Sequence, residues 1–371
     1  MELSYWEHKS WLSNVDYTVI GSGIVGLSCA LHLKETFPKA KILILEKGLL
    51  PQGASTKNAG FACFGSISEI LADLQKHSEA EVLELVTKRF QGIQRLRKLL
   101  GDQALKYKET GGHELFMQSD QDLYEKCLES MDSINELVSP VLGPKAFVHN
   151  PNTFRFQHIQ KQYITNVCEG QIDTGNMMLS LLQKVQESGV LILNGITVKD
   201  YQTTGDGVVV RTEAFELKTS KLLMATNGFA SKFIGAEVKP ARAQVLITEP
   251  IPELHIQGTF HLEEGFYYFR DIDNRILLGG GRNLDFKTEE TEQFGQTSLV
   301  QQRLEQLLSE VILPGKEISI ASRWSGIMGV GAQKKPIVKA LSNQVYCGVR
   351  LGGMGIAIGS MVGKELADLA G

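Results

Sequence analysis

The stretch "YTVIGSGIVGL" (residues 17–27) decides the fold. A short β-run precedes three glycines in the pattern G-x-G-x-x-G, and the "LSCALHLKET" that follows has apolar residues at helical spacing. The glycines therefore join a strand to a helix. Gly21 makes the tight turn, Gly23 lets the backbone approach a pyrophosphate, and Gly26 lets helix and strand pack closely. The pattern predicts a dinucleotide-binding βαβ unit.

A second strand completes this unit. The run "AKILILEKG" (residues 40–48) reads as a β-strand that ends at Glu46, 20 residues after Gly26. A carboxylate at this spacing accepts hydrogen bonds from ribose hydroxyls. The first residues of the preceding helix, Ile24 and Val25, offer free N–H groups to the phosphates. An acid at position 46 also argues against a 2′-phosphate, and therefore against NADP.

The segment after Glu46 distinguishes NAD from FAD. An NAD dehydrogenase normally continues into a helix, whereas "KGLLPQGASTKNAGFACFGSI" (residues 47–67) is mostly small residues. This segment resembles the D-amino-acid-oxidase-like family of FAD-dependent oxidoreductases, in which G-A-S-x-x-N-x-G lies beneath the pyrophosphate and beside the flavin ring. The resemblance implies FAD, with contacts from Lys47 and from the residues that match the motif: Ser55, Thr56, Lys57, Asn58, Ala59 and Gly60.

Further segments match the family in order and spacing. Residues 169–202 resemble its middle segment, with Asp173 as a predicted helix N-cap and Val198 at the position whose backbone contacts adenine. The run "KLLMATNGFAS" (residues 221–231) is predicted to be a buried strand followed by the turn with which the family closes over the dinucleotide. Cofactor contacts are implied for three residues of this turn: Ala225, Thr226 and Gly228.

The C-terminal run "VYCGVRLGGMGIAIGSMVGKELADL" (residues 345–369) reads as a strand, a glycine loop and a helix. It resembles the closing motif of the family, in which the loop and the helix N-terminus face the flavin pyrimidine ring. Backbone N–H groups at a helix start can stabilise negative charge on a reduced flavin. The implied FAD contacts are Gly352, Gly353, Met354, Gly355 and Ile356.

The remaining chain differs in character. One part alternates charge-rich helical patterns, which we interpret as solvated faces, with short strands; another reads as strands followed by a helix. The predicted fold is α/β (α+β overall), a Rossmann-like FAD-binding domain with a β-rich substrate domain inserted in two pieces. The FAD-binding domain is predicted to comprise residues 1–85, 158–236 and 324–371, and the substrate domain residues 86–157 and 237–323.

The resemblance implies an enzyme that oxidises the C–N bond of an amine or amino acid by hydride transfer to flavin. The cofactor carries the chemistry, and the protein orients the substrate and excludes water. In "GFYYFRD" we predict Tyr267 to face the substrate, with Tyr268 as the alternative, because a one-residue shift reverses the face. Arg350 aligns with an arginine of glycine oxidase near the flavin, and its alternative role is a structural ion pair.

Two departures from the family concern the substrate. Met328 stands where glycine oxidase has a carboxylate-binding arginine, and Ala357 stands where sarcosine oxidase has a lysine. Because a carboxylate without a bidentate arginine is held weakly, we predict a primary or secondary amine or a modified amino acid rather than glycine or sarcosine. The motifs look closest to gamma-glutamylputrescine oxidase. No cysteine lies between Gly326 and Val330 to tether the flavin, so noncovalent FAD is expected.

Two other functions remain open at this stage. A 2-hydroxy-acid dehydrogenase on the same fold would need a base, for which His113, His255 and His261 are candidates. A flavoprotein without a small substrate would fit the missing carboxylate holders. The sequence does not identify the electron acceptor, O2 or another, that reoxidises the flavin.

Composition narrows the function further. The 371 residues are 43% hydrophobic and 22% charged with a net charge of -4, which argues against nucleic acid as a partner. Five scattered cysteines suit a reducing cytoplasm. No run approaches the roughly 20 apolar residues that span a bilayer, and no metal site is expected. A homo-oligomer is compatible with these features.

Overall fold

The computed structural model describes residues 2–371. Three β-sheets and their helices form a mixed α/β fold, as predicted. The strands in chain order are β1 (Val15–Ile20), β2 (Ile42–Glu46), β3 (Phe61–Ala62), β4 (Gly112–Glu114), β5 (Phe147–Pro151), β6 (Gln162–Asn166), β7 (Gly170–Gln171), β8 (Leu191–Asn194), β9 (Val198–Thr204), β10 (Gly207–Thr212), β11 (Glu216–Met224), β12 (Lys239–Thr248), β13 (Thr259–Leu262), β14 (Tyr267–Ile272), β15 (Arg275–Gly280), β16 (Ile320–Val330), β17 (Ile337–Ala340) and β18 (Val345–Val349).

The longer helices lie between these strands. Three of them begin at residues whose side chains cap the helix. The helices of eight residues or more are α1 (Ile24–Thr36), α2 (Ile67–Leu74), α3 (Glu79–Leu100), α4 (Gln121–Glu129), α5 (Met131–Leu142), α6 (Thr174–Glu187), α7 (Ser298–Leu307) and α8 (Gly355–Ala370). Ser66 and Ser78 form capping boxes before α2 and α3. The predicted cap of α6 is confirmed, since Asp173 Oδ1 accepts the Asn176 N–H at 2.9 Å.

The first sheet has the doubly wound arrangement that the glycine motif predicted. Its strand order is β17-β18-β11-β1-β2-β8, with β10 and β9 added beside β11. Strands β1, β2, β8, β11 and β18 are parallel, so their carboxyl ends meet at one edge. Helices α1 and α8 pack so closely that a Cβ on Gly363 would lie 2.7 Å from the Ser28 Cβ. Such a sheet binds ligands in the crevice at this edge.

The second sheet, in the order β16-β12-β15-β14-β13-β4-β6-β5, is antiparallel apart from the parallel pair β13 and β4. One face packs under α7 in a large apolar cluster that includes Phe260, Tyr267 and Phe269. The opposite face carries a smaller cluster around Val245 and Leu277. Because successive side chains of a strand point to opposite faces, this sheet has one core face and one face toward the first sheet.

The predicted domain boundaries can be compared with the two sheets. Strand β6 was assigned to the FAD-binding domain but pairs with β4 and β5 in the second sheet. The boundary at residue 86 cuts α3, and α3 packs on α8, where Ser360 Oγ donates to Gly92 O at 2.7 Å. The second sheet and α3 thus do not follow the predicted boundaries, and the division into two domains stays a prediction. Across residues 2–371, none of the helices is both long and apolar enough to cross a membrane.

Candidate active site

A cavity of about 1180 Å³ lies between the edge of the first sheet and the near face of the second. One end is lined by the glycine turn after β1, the end of β2 and the loop after β11. The other end is lined by β13, β14 and the loop after β16. The cavity therefore joins the predicted dinucleotide cradle to a chamber beneath the second sheet.

The glycine turn leaves no room for side chains. Gly21 has a φ of +100°, and a Cβ there would lie 2.9 Å from Ala225 O. A Cβ on Gly23 would lie 2.8 Å from Ser55 Oγ, and one on Gly26 would collide with Gly21 O. These contacts explain the motif: the first two glycines keep the turn open to a ligand, and the third lets α1 lie against β1.

Polar groups with free capacity line this end of the cavity. Glu46 Oε2 accepts from the Ser22 N–H at 2.9 Å and the Ser22 hydroxyl at 2.7 Å, which fixes the carboxylate at the end of β2. Ser55 Oγ accepts the Ile24 N–H at 2.9 Å, at the start of α1. Thr226 Oγ1 is buried and has no hydrogen-bond partner among the described residues. A carboxylate, a helix start and an orphaned hydroxyl fit the hydroxyls and phosphates of a dinucleotide.

The small-residue segment is held by the second sheet. From β14, Arg270 Nη1 donates to Ala59 O at 3.1 Å and to Ile172 O at 2.6 Å, and burial lowers the pKa of Arg270 to about 10. From β16, Trp324 Nε1 donates to Lys57 O at 3.0 Å. Sequence reasoning missed both contacts. For Arg270 the available signal was an arginine directly after three aromatic residues, "YYFR".

The far end of the cavity is an aromatic chamber. The Phe61 ring stacks on His261 with centroids 5.1 Å apart and meets the Tyr268 ring edge-on at 5.7 Å. Burial lowers the pKa of His261, and within residues 2–371 its Nε2 has no hydrogen-bond partner. Burial raises the pKa of Tyr268 to about 12. The chamber thus offers a neutral imidazole, a neutral phenol and apolar walls.

Residues 16–369 match the family model described as FAD dependent oxidoreductase. The chain belongs to this family. Gamma-glutamylputrescine oxidoreductase of Escherichia coli (strain K12) is 22% identical over 372 residues, covering 95% of this chain and 83% of that protein. Glycine oxidase from Geobacillus kaustophilus has a similar fold, with a TM-score of 0.76, 17% identity and coverage of 96% and 94%. L-proline dehydrogenase from P. horikoshii gives a TM-score of 0.75 at 17% identity, covering 96% and 93%.

Family membership makes the protein an FAD-dependent oxidoreductase. The non-catalytic flavoprotein considered from the sequence is therefore set aside. The residues present fit FAD, because the glycine turn, the Glu46 carboxylate and the orphaned Thr226 hydroxyl lie on one continuous cavity. Within residues 2–371, no cluster of three or more His, Cys, Asp or Glu side chains is arranged to hold a metal ion.

Most of the residues predicted to contact FAD line the cavity. Those that do are Gly21, Gly23, Ile24, Val25, Glu46, Lys47, Ser55, Lys57, Asn58, Ala59, Gly60, Val198, Ala225, Thr226, Gly352, Gly353, Met354, Gly355 and Ile356. Gly26 packs against Gly21 instead, as its role in the motif requires. Thr56 is a correction, since its hydroxyl donates to Pro51 O at 2.7 Å and shapes the turn. Gly228 is another, because its missing side chain makes room for Met328 O.

The prediction for the substrate tyrosine is also corrected. Tyr267 points into the core face of the second sheet and is fully buried, whereas Tyr268 lines the cavity. The two residues alternate on β14, so choosing the wrong register reversed the face. Nothing in the local sequence "GFYYFRD" tells which aromatic faces α7.

Arg350 lines the cavity, and backbone carbonyls hold its guanidinium. Its Nε and Nη2 donate to Lys335 O at 3.1 and 2.9 Å, and its Nη1 donates to Glu237 O at 3.3 Å. All three nitrogens thus donate to backbone carbonyls rather than to an acid, which corrects the alternative ion pair, whereas the substrate contact stays a prediction. The side chain anchors the loop after β16, which borders the cavity.

The remaining candidates separate clearly. His113 Nδ1 lies 2.9 Å from Thr165 Oγ1 in the second sheet and is not on the cavity, while His255 is exposed.

Of the cysteines in the described chain, Cys63 lines the cavity, and burial raises its pKa well above the ordinary range. A neutral thiol is a poor nucleophile, which supports the prediction of noncovalent FAD.

Arg89 on α3 is the cavity residue that sequence reasoning missed most completely. The charged helices were interpreted as solvated faces, yet Arg89 is 3% exposed and lines the chamber. The spacing of residues on α3 indicated this burial. Arg89 falls at helical spacing within the buried apolar stripe, which consists of Val82, Val86, Ile93 and Leu96. A charge within an apolar stripe is unfavourable unless a partner is present.

Proposed function

We propose that this FAD-dependent oxidoreductase oxidises the C–N bond of an amine or amino acid by hydride transfer to the flavin. The observation that carries the proposal is the aromatic chamber of Phe61, His261 and Tyr268, which is continuous with the FAD cradle. Phe61 follows directly on the small-residue segment. The names of two relatives, a gamma-glutamylputrescine oxidoreductase and a glycine oxidase, agree with this substrate class.

Bound FAD supplies the hydride acceptor, and the residues of this chain prepare the substrate. Phe61 and Tyr268 form walls that orient an apolar part of the substrate and exclude water. Burial lowers the pKa of His261, so its imidazole is neutral, does not repel a cationic amine and offers a ring nitrogen that can accept a hydrogen bond from the substrate nitrogen. The reacting amine is the form without its extra proton, because its lone pair favours departure of hydride from the neighbouring carbon.

The start of α8 brings a partial positive charge to the cavity. Met354 precedes the helix, and no side chain caps its first N–H groups. Gly355 and Ile356, the first helical residues, line the cavity. A helix of 16 residues carries a partial positive charge at this end. We expect these N–H groups to stabilise negative charge placed against them.

Anaerobic reduction tests the proposal. The purified holoprotein is mixed with a panel of primary amines, secondary amines and amino acids, and the loss of flavin absorbance is followed. We expect bleaching by at least one amine and none by millimolar glycine, whose carboxylate would lie near Met328 in place of an arginine. Rapid bleaching by glycine contradicts the substrate argument, and inertness toward every amine contradicts the proposed reaction.

A 2-hydroxy-acid dehydrogenase remains the second candidate, because His261 is also suited to accept a hydroxyl proton. The same assay separates the two reactions. Bleaching by 2-hydroxy acids such as lactate, with no response to amines, favours this candidate. Bleaching by amines alone excludes it.

A further inference from the structure

Arg89 is a buried guanidinium with unused donors. It lies on α3, is 3% exposed and lines the substrate end of the cavity. Its hydrogen bond within residues 2–371 is from Nη1 to Phe64 O, at 2.7 Å. Its Nε is buried and has no partner. A guanidinium has five N–H donors, so most of them are not used by the protein.

No carboxylate of the described chain forms an ion pair with Arg89, although two acids lie nearby. Burial raises the pKa of Glu169 to about 8, so this acid is neutral near pH 7. Burial also raises the pKa of Glu69, but Arg89, Lys334, His261 and the Ser66 N–H together outweigh it, and the net shift is downward. Lys334 is itself paired with Asp73 at 2.7 Å. Arg89 therefore feels one ionised acid at a distance and contacts none.

Such an arrangement is costly in the absence of a ligand. A buried charge is unfavourable unless it is paired and hydrogen-bonded. The group that best matches the planar fork of a guanidinium is a carboxylate, which can accept two parallel hydrogen bonds. The other cations on the cavity are exposed or half-buried, where water can solvate them: Lys47, Lys57, Lys76, Lys232, Arg282, Lys334 and Arg350.

The two positions that the resemblance to the family assigns to carboxylate holders carry no charge here. Met328 lines the cavity with a thioether, and Ala357 is buried with a methyl group. Arg89 comes from a different element, the long helix α3, beside the segment that follows Phe61. The absence of charge at Met328 and Ala357 and the buried charge at Arg89 are independent observations, and both concern where a carboxylate would bind.

We propose that Arg89 binds the carboxylate of the substrate, and that the substrate is therefore an amine that also carries a carboxylate. This inference rests on the proposed function and deepens it by naming the substrate class. Arg89 is the specificity-determining residue of the chamber. It supplies, from α3, the positive charge that Met328 and Ala357 do not provide.

A binding experiment tests this without turnover. The oxidised holoenzyme is titrated with benzoate and with benzamide, its uncharged counterpart, and the change in flavin absorbance gives each dissociation constant. We expect benzoate to bind and benzamide to bind at least tenfold more weakly. In Arg89→Met the benzoate affinity should fall about 10- to 100-fold. Arg89→Lys should give an intermediate affinity, because it keeps the charge but loses the fork.

The matched control is Arg95→Met, on the same helix but off the cavity. It should bind benzoate as the wild type does. If Arg89→Met does not fold, Arg89→Lys and the benzoate-to-benzamide ratio of the wild type still decide. Turnover provides a second readout, with 5-aminopentanoate expected to exceed pentylamine in kcat/KM, and Arg89→Lys expected to raise KM more than it lowers kcat.

Three outcomes overturn the inference: equal binding of benzoate and benzamide, unchanged benzoate affinity in both Arg89 variants, or a changed flavin reduction potential in Arg89→Met with unchanged benzoate affinity. The last result would assign Arg89 to the flavin. Failure of the proposed function looks different, because it leaves carboxylate binding dependent on Arg89 while no amine reduces the flavin.

Discussion

The two ends of the cavity are built in different ways. The nucleotide end uses the backbone of consecutive residues, Gly21–Gly26, and a single carboxylate, Glu46. The substrate end draws single side chains from separate parts of the chain: Phe61, Arg89, His261, Tyr268 and Met328. A backbone site depends on a local motif and tolerates little change. A site assembled from side chains can change specificity by one replacement and leave the cofactor in place.

The largest effect is expected at the nucleotide end. In Gly23→Val the new Cβ would lie 2.8 Å from Ser55 Oγ, displace it from the Ile24 N–H and fill the phosphate position. The purified variant should be colourless, with an FAD-to-protein ratio near zero. Gly205→Ala is the control, since nothing lies within 4 Å of its Cβ. Normal FAD content in Gly23→Val would place the cofactor elsewhere.

Loss of the Glu46 carboxylate should be smaller. Glu46→Ala removes the acceptor at the end of β2 and frees the Ser22 N–H. A charge-assisted hydrogen bond contributes about 1.5–3 kcal/mol, so the dissociation constant of FAD should rise about 10- to 100-fold. Titration of the apoprotein with FAD measures this. Affinity within twofold of the wild type would show that Glu46 does not contact the ribose.

The buried acid Glu169, which accepts the Phe64 and Gly65 N–H groups, should contribute to the pH dependence of stability. Burial raises the pKa of Glu169 from its ordinary 4.5 to about 8, so between these values the folded state binds more protons than the unfolded state. The free energy of unfolding should therefore fall as pH rises through this window, by on the order of 1–3 kcal/mol.

Denaturant unfolding of Glu169→Gln between pH 5 and pH 8 checks this prediction. A glutamine cannot ionise, and its oxygen can still accept the Phe64 and Gly65 N–H groups that Glu169 holds. As pH rises from 5 to 8, the variant should lose less stability than the wild type does. Glu79→Gln, at an exposed acid, should leave the slope unchanged. An equal or greater loss of stability in Glu169→Gln would contradict the raised pKa.

The smallest effect distinguishes two adjacent tyrosines. Tyr268→Phe removes a hydroxyl from the chamber and should lower kcat/KM about 2- to 10-fold, the range of one net hydrogen bond. Tyr267→Phe changes the far side of β14 and should stay within about twofold. Steady-state kinetics on one amine compares the pair. A larger loss in Tyr267→Phe would reverse the assignment of the faces.

Much of the nucleotide end could be predicted because its signals are local. The spacing of Gly21, Gly23 and Gly26 and the acid at Glu46 encode a turn, a helix start and a strand end within 30 residues of chain. These features depend on backbone geometry that the same residues determine. The misassigned contacts at Thr56 and Gly228 involve partners, Pro51 O and Met328 O, that only the folded chain identifies.

The sequence by itself determined the doubly wound fold and the cap of α6 at Asp173, because each follows from the chemistry of neighbouring residues, and its resemblance to a family indicated FAD. Only the tertiary structure decided which face of β14 meets the cavity, that Arg350 binds backbone carbonyls, and that Arg89 lies unpaired in the chamber. These outcomes depend on contacts between segments far apart in sequence. A side chain's charge shows what it could bind, whereas its role depends on the partners that folding brings to it or leaves out.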